Sequence, residues 1–346
     1  MKTTHHILLE DAKEMKNVGA ESIDLVVTSP PYPMIKMWDD MFSGQNPEIG
    51  KALVSGDGIK AFELMHLELG KVWKDVFRAL KPGGIACINI GDATRSVNEK
   101  FQIYTNHARI LNYCLNLGFH ALPEILWVKE TNKPDKFMGS GMLPVGAYVT
   151  LEHEHILILR KGEKREFKTA EEKLKRQRSA FFWEERNIWF SDKWKDINGV
   201  FQKLNHAEIR ERSGAYPVEL AYRLINMFSV QGDTILDPFL GTGTTTLAAI
   251  ASGRNSIGYE IDRNFGNVIE QRINEVLVIA NERNEQRLHK HREFVEKSAG
   301  GQLKYLNTNY NLPVMTLQER ELLIPKLKNI RNVGNGTFEV NYIPSN

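Results

Sequence analysis

The run Ser29-Pro30-Pro31-Tyr32 follows an apolar stretch, residues 23–27, and combines a hydroxyl, two prolines and an aromatic ring. Proline fixes φ and has no N–H, so such a loop is stiff and its proline carbonyls remain as acceptors. An exocyclic amino group on a flat base would find acceptors there for both of its N–H bonds, and a ring to stack on. A second run, Asp237-Pro238-Phe239-Leu240-Gly241-Thr242-Gly243-Thr244-Thr245, carries a different chemistry. Its glycines permit a sharp turn and leave no side chain between backbone and ligand. The helix expected after it offers free N–H groups and the positive end of its dipole. That suits a nucleotide-like cofactor bearing a carboxylate. Glu260 closes the following strand, where an acidic side chain can accept hydrogen bonds from two ribose hydroxyls. The third glycine of a dinucleotide fingerprint is missing, and no lysine follows the glycines as in a phosphate-binding loop.

The elements that must position these loops follow from the patterning. Short apolar, β-branched runs at 7–9, 23–27, 85–90, 125–128, 155–159, 234–237 and 256–260 read as strands. Amphipathic stretches near 64–80, 103–117, 218–228, 244–252 and 267–291 read as helices, with Pro217 suited to a first helical turn. Alternation of the two predicts an α/β fold, a doubly wound and mostly parallel sheet with helices on both faces. Ligands of such sheets bind outside the carboxyl ends of the strands, where both unusual loops lie. Residues 33–60, rich in Gly, Pro, Asp and Met, read as a long loop. Residues after 298 are weakly patterned and read as a small appendage.

The chain has 346 residues, 42% hydrophobic and 25% charged, which is ordinary globular composition. No apolar run approaches the ~18 residues of a membrane span, so a cytoplasmic location without membrane partners is expected. Two cysteines, Cys87 and Cys114, supply neither a disulfide scaffold nor a zinc ribbon. His153 and His155 share one face of a strand and His206 stands alone, so no metal site is expected. The formal net charge is +2, but residues 160–212 hold fifteen Lys/Arg against ten Asp/Glu. That basic middle suggests a polyanion partner, with a solvated helix near 171–178 as the plainer alternative.

The paired motifs resemble those of the S-adenosylmethionine-dependent DNA amino-methyltransferases. Ser29-Pro30-Pro31-Tyr32 is similar to their catalytic motif, and Asp237-Pro238-Phe239-x-Gly241-x-Gly243-Thr244 to their methionine-binding motif. The catalytic motif comes first, the permuted order of the β subgroup. The resemblance covers residues 5–280 and implies a Rossmann-like methyltransferase fold with a smaller target-recognition region. It implies further that Glu260 binds the ribose, that Asp11 contacts the adenine, and that Tyr216-Pro217 opens the motif before the cofactor strand. A serine at the head of the first motif goes mostly with cytosine N4, and Asp or Asn with adenine N6. Residues 33–40 are similar to a subgroup of restriction-modification methylases acting on CTAG. Cytosine C5 chemistry is disfavoured, because neither cysteine stands on a Pro-Cys loop.

The implied organisation is a catalytic half (1–160), a target-recognition region (161–212), a cofactor-binding half (213–297) and an appendage (298–346). The implied cofactor is S-adenosyl-L-methionine and the implied partner double-stranded DNA. A cognate restriction endonuclease and a homodimer stay open. The rival readings are an adenine-N6 DNA methyltransferase, an RNA or protein-amide methyltransferase, and a non-catalytic DNA-binding protein.

Overall fold

The computed structural model describes residues 1–129, 138–198, 216–298 and 303–343. In the first half, β1 (Lys2–Leu8) and β2 (Ile23–Thr28) precede α1 (Asp39–Gln45), α2 (Pro47–Val54) and α3 (Gly58–Ala79). Then come β3 (Leu80–Ile90), the hairpin β4 (Ala93–Val97) and β5 (Lys100–Tyr104), α4 (Asn106–Leu117) and β6 (Phe119–Val128). A short pair, β7 (Met138–Gly139) and β8 (Ala147–Tyr148), leads to β9 (His153–Lys161), α5 (Ala170–Arg178), α6 (Trp183–Trp189) and β10 (Lys193–Trp194). The second half holds α7 (Val218–Phe228), β11 (Thr234–Asp237), α8 (Thr244–Ser252), β12 (Asn255–Tyr259) and α9 (Phe265–Lys297). It closes with β13 (Tyr305–Asn307), β14 (Leu312–Val314), β15 (Leu327–Gly334) and β16 (Thr337–Tyr342).

Ten strands form one sheet in the order β10-β6-β9-β3-β2-β11-β12-β1-β16-β15. The central five, β3 to β1, are parallel. Leu25 and Val27 of β2 face α7, α8 and α9 through Leu220, Leu224, Leu247 and Ile269. Ile23 and Val26 face α3 and α4 through Met65, Leu69, Trp73 and Ile110. Two cores on two faces make the sheet doubly wound, as the patterning predicts. Both cysteines are buried free thiols, and burial pushes the Cys114 thiol up to about 12.

Two expectations are corrected. Residues 33–60 are not a long loop, because α1 and α2 occupy most of them. The residues that read as loop punctuation stand at helix starts. Pro47 opens α2, Asn46 Oδ1 accepts the Glu48 N–H at 3.1 Å, and Gly58 opens α3 behind the Asp57 cap. Phe42, Ile49 and Ala52 are buried and hold the pair onto α3. The C-terminal segment is also more than an appendage. β16 pairs antiparallel with β1 and extends the central sheet. No described helix is long and apolar enough to cross a membrane.

Candidate active site

β2 and β11 are neighbours, with Leu25 opposite Ile235 and Val26 opposite Leu236. From this seam the strand order runs one way to β3 and the other way to β12 and β1. The loops after Thr28 and Asp237 therefore leave side by side at a topological switch point, where open α/β sheets bind ligands. Asp237 ties them together. Its Oδ1 accepts from Thr28 Oγ1 at 2.6 Å and from the Phe239 N–H at 3.0 Å, and its Oδ2 accepts from Thr245 Oγ1 at 2.6 Å. Burial pushes this carboxyl up to about 6, against the pull of those hydrogen bonds. Tyr216, also buried, pairs its hydroxyl with Thr245 Oγ1 behind the seam, and Pro217 caps α7.

The first loop is held by polar side chains from other strands. The Tyr32 hydroxyl donates to Glu154 Oε2 at 2.8 Å and lies 3.2 Å from Ser29 Oγ. Asn89 Nδ2 donates to Tyr32 Oη at 2.9 Å and to Glu154 Oε2 at 2.7 Å. Lys129 Nζ pairs with Glu154 Oε1 and lies over the Trp127 ring. Burial first, then the Glu154 charge, hold the Tyr32 phenol well above its ordinary range. Gly91 makes room for the ring, since a Cβ there would meet Tyr32 Cε2 at 2.9 Å.

The second loop is built from backbone. Gly241 has φ +53° with open space where a Cβ would point, and its N–H donates to Glu260 Oε2 at 2.8 Å. Glu260 Oε1 accepts from the Asp262 N–H at 2.8 Å. Burial pushes the Glu260 carboxyl up to about 7. Gly243 has φ +85° and caps the N-terminus of α8. The Thr244 hydroxyl in its first turn is buried without a hydrogen-bond partner.

A cleft of about 440 Å³ joins the two loops. Pro31 lines it from the first loop, and Pro238, Phe239 and Glu260 from the second side. Asp11 lines it too, with Oδ1 accepting the Lys13 N–H at 3.0 Å. The half-buried Glu260 carboxylate in its wall, with the open Gly241 turn and the orphaned Thr244 hydroxyl beside it, fits a nucleotide-like cofactor with an anionic tail. Ser29, Pro30, Tyr32, Tyr216, Pro217, Asp237, Gly241, Gly243 and Thr244 do not line the cleft. Met41 and Phe42 of α1 and Glu68 and Leu69 of α3 do, although no motif marks them.

Two further groups lay beyond sequence reasoning. Asn89 and Glu154 come from β3 and β9, Lys129 follows β6, and the three meet only in the folded sheet. Asp92, His107 and His155 also converge, with one ligand atom each within 4.8 Å of one another. This supplies the carboxylate that sequence spacing did not place near His155. Asp92 grips His107 Nδ1 at 2.8 Å and 2.9 Å, which raises the pKa of that imidazole. The His107 and His155 rings stack 3.8 Å apart and 9° from parallel. Imidazole lone pairs lie in the ring plane, so these run side by side and do not converge on one ion. His206 lies outside the described residues.

The basic segment needs a correction. Arg165 pairs with Asp233 at 2.7 Å, and Lys175 approaches it at 3.9 Å. Asp233 precedes β11, so the start of this segment, including α5, sits at the amino ends of the strands, opposite the two loops. Further along, Glu185 binds Arg287 and Glu184 binds His291, so this part packs on α9. Residues 199–212 of the segment lie outside the described residues. The β4–β5 hairpin stands nearer the site. Arg95 binds Asp39 at 2.7 Å, and Phe101 stacks on Tyr148 at 4.7 Å.

Fold and site together define a doubly wound α/β protein with a cleft between a Pro-Pro loop and a glycine loop. The chain belongs to the N6/N4 DNA methylase family, whose description as a DNA methylase matches residues 23–271. It is 52% identical to the type II methyltransferase M.MthZI of Methanothermobacter thermautotrophicus over 343 residues, 99% of this chain and 96% of that one. It is 49% identical to the type II methyltransferase M.MjaI of Methanocaldococcus jannaschii over 282 residues, 78% and 91% of the two chains. Among solved structures it is similar to TTHA0409 of Thermus thermophilus, described as a putative DNA modification methylase and solved with S-adenosyl-L-methionine. The TM-score is 0.61 and the identity 32%, over 79% of this chain and 95% of that one.

Proposed function

We propose that this DNA methyltransferase modifies the exocyclic N4 of cytosine in duplex DNA, as the modification enzyme of a type II restriction-modification system. The observation that carries the reading is the position of Ser29. It heads a Pro-Pro-Tyr loop after β2 that is braced to the second loop through Thr28 and Asp237 and reaches the cleft through Pro31, across from Pro238, Phe239 and Glu260. The 52% and 49% identity to two type II methyltransferases supports the restriction-modification setting.

The cofactor is S-adenosylmethionine, which supplies an electrophilic methyl group on a sulfonium. Glu260 accepts hydrogen bonds from ribose hydroxyls, and Asp11 lies at the adenine end. Phe239, Gly241, Gly243 and Thr244 hold the methionine end. An aromatic amine is a poor nucleophile, because its lone pair is conjugated with the ring. Ser29 Oγ and the Pro30 carbonyl accept its two N–H bonds, draw the nitrogen towards a tetrahedral shape and localise that lone pair. Orientation of this kind supplies up to several kcal/mol. The amino group of a paired base is out of reach, so the base rotates out of the stack. Tyr32 stacks on it, worth about 1–3 kcal/mol by analogy with single-strand binders.

The test is to methylate DNA with tritiated cofactor, digest it, identify the labelled nucleoside and map its context. N4-methylcytosine is the expected product, with CTAG the first context to try. N6-methyladenine overturns the cytosine assignment.

A further inference from the structure

Ser29 Oγ meets the target base in the reading above, and a hydroxyl can either donate or accept there. The surrounding side chains remove that freedom. Glu154 lies on β9 with its side chain 9% exposed, and a carboxylate only accepts. Its Oε1 is taken by Lys129 Nζ. Its Oε2 accepts the Tyr32 hydroxyl at 2.8 Å and Asn89 Nδ2 at 2.7 Å. The single Tyr32 proton is thus spent on Glu154, and Tyr32 Oη is left to accept. It accepts from Asn89 Nδ2 at 2.9 Å, and Ser29 Oγ lies 3.2 Å from it. The Ser29 proton therefore points inward to Tyr32, and its free lone pairs point away from the network.

We propose that Glu154 is a positioning residue that, through Tyr32, fixes Ser29 as a hydrogen-bond acceptor and so makes the pocket select an amino group over a carbonyl. The proposal rests on the reading that Ser29 meets the target base, and it adds the reason why the contact has one polarity. The Pro30 carbonyl can only accept, so both groups present lone pairs. Cytosine offers N–H bonds at this position. Uracil, its deaminated counterpart, offers a carbonyl oxygen, and lone pair would face lone pair. A site built to accept from an N–H group rejects the analogue lacking it, because its own acceptors then go unpaired.

The experiment measures binding, not turnover. Duplexes carry the mapped site with cytosine, uracil or an abasic residue at the target, each opposite an abasic residue so that no pairing energy differs between them. Each is titrated by fluorescence anisotropy with S-adenosylhomocysteine present. Wild-type protein should bind the cytosine duplex about tenfold more tightly than the uracil duplex. In Glu154→Gln the side-chain carbonyl turns to Lys129, which can only donate, so the amide N–H faces Tyr32 Oη and frees the Tyr32 proton for Ser29. Tyr32→Phe removes the hydroxyl link and leaves Glu154 in place. Both variants should reduce the preference to within about threefold while binding the abasic duplex as wild type does. A purely structural role would weaken all three duplexes alike and leave the ratio intact. An unchanged ratio in variants that bind the abasic duplex normally overturns the proposal. If Glu154→Gln does not fold, Tyr32→Phe decides alone. A wild-type protein without the preference also overturns the polarity argument, yet leaves the nucleoside assignment standing. N6-methyladenine in the digest overturns that assignment instead, and the same polarity test then compares adenine with hypoxanthine.

Discussion

The loops after β2 and β11 leave neighbouring strands at the same edge, yet they are made of different materials. The first works through side chains, each fixed by a polar partner from β3, β9 or the end of β6. The second works through backbone, with two glycines at positive φ and the Gly241 N–H donated to Glu260. The difference matches what each must hold. A base edge is told apart by the direction of a few hydrogen bonds, which side chains can set. A cofactor tail needs close approach and several donors, which a bare backbone provides.

Asp237 joins the two loops, so its removal should have the largest effect and break both together. Asp237→Ala leaves the buried Thr28 hydroxyl and the Phe239 N–H without their acceptor, while Thr245 Oγ1 keeps the Val27 carbonyl at 3.1 Å. Each orphaned buried group costs about 1–3 kcal/mol. Urea unfolding should show a loss of about 3–5 kcal/mol in all, with cofactor binding and methyl transfer both lost. A stable variant that kept either function would mean that the loops do not depend on a common brace.

Substitutions within one loop should separate what Asp237 joins. Ser29→Ala should lower the single-turnover rate about a hundredfold, by analogy with the loss of one oriented hydrogen-bonding group at other active sites. Stability should stay within about 0.5 kcal/mol, and cofactor affinity, read by calorimetry, should be unchanged. An equal loss of cofactor binding would contradict the division of labour. Gly243→Ala should do the reverse at smaller cost. Its φ of +85° is strained for alanine, and the new Cβ would sit 3.2 Å from Ile269 Cγ2. A loss of about 1–2 kcal/mol in stability should accompany weaker cofactor binding, with Ser29 chemistry intact once cofactor saturates.

The same division explains what could be read before the fold was known. Prolines, glycines and Glu260 sit in short contiguous runs whose types announce their geometry, so both loops and the strands beneath them were legible. The Glu154 network was not, because Asn89, Lys129 and Glu154 belong to separate strands and share no spacing. Residues 33–60 were misread because Pro47 and Gly58 punctuate helix starts as well as loops. The C-terminal strand had a signal that went unused: Phe338, Val340 and Tyr342 alternate with polar residues and are all buried. For the basic run from 160, composition could not tell that its start, through Arg165 and Lys175 at Asp233, covers the amino ends of the strands.

The smallest expected effect concerns pH, and it sharpens the comparison because only the second side of the cleft should titrate near neutrality. Tyr32 is held well above its ordinary range and stays protonated there. Glu260 is raised from 4.5 to about 7, chiefly by burial. The folded chain therefore binds a proton, between those values, that the unfolded chain releases. Stability should fall as pH rises from about 4.5 to about 7 and level off beyond it. Asp237, raised from 3.8 to about 6, adds to the same slope. Cofactor affinity should move the other way. Ionised Glu260 is the better acceptor for ribose hydroxyls, so calorimetry should find binding up to about tenfold weaker at pH 6 than at pH 8. Glu260→Gln should bind weakly at both pH values and lose this dependence. A slope that survives in Glu260→Gln would transfer the titration to Asp237, and with it the source of pH sensitivity from the cleft wall to the brace between the loops.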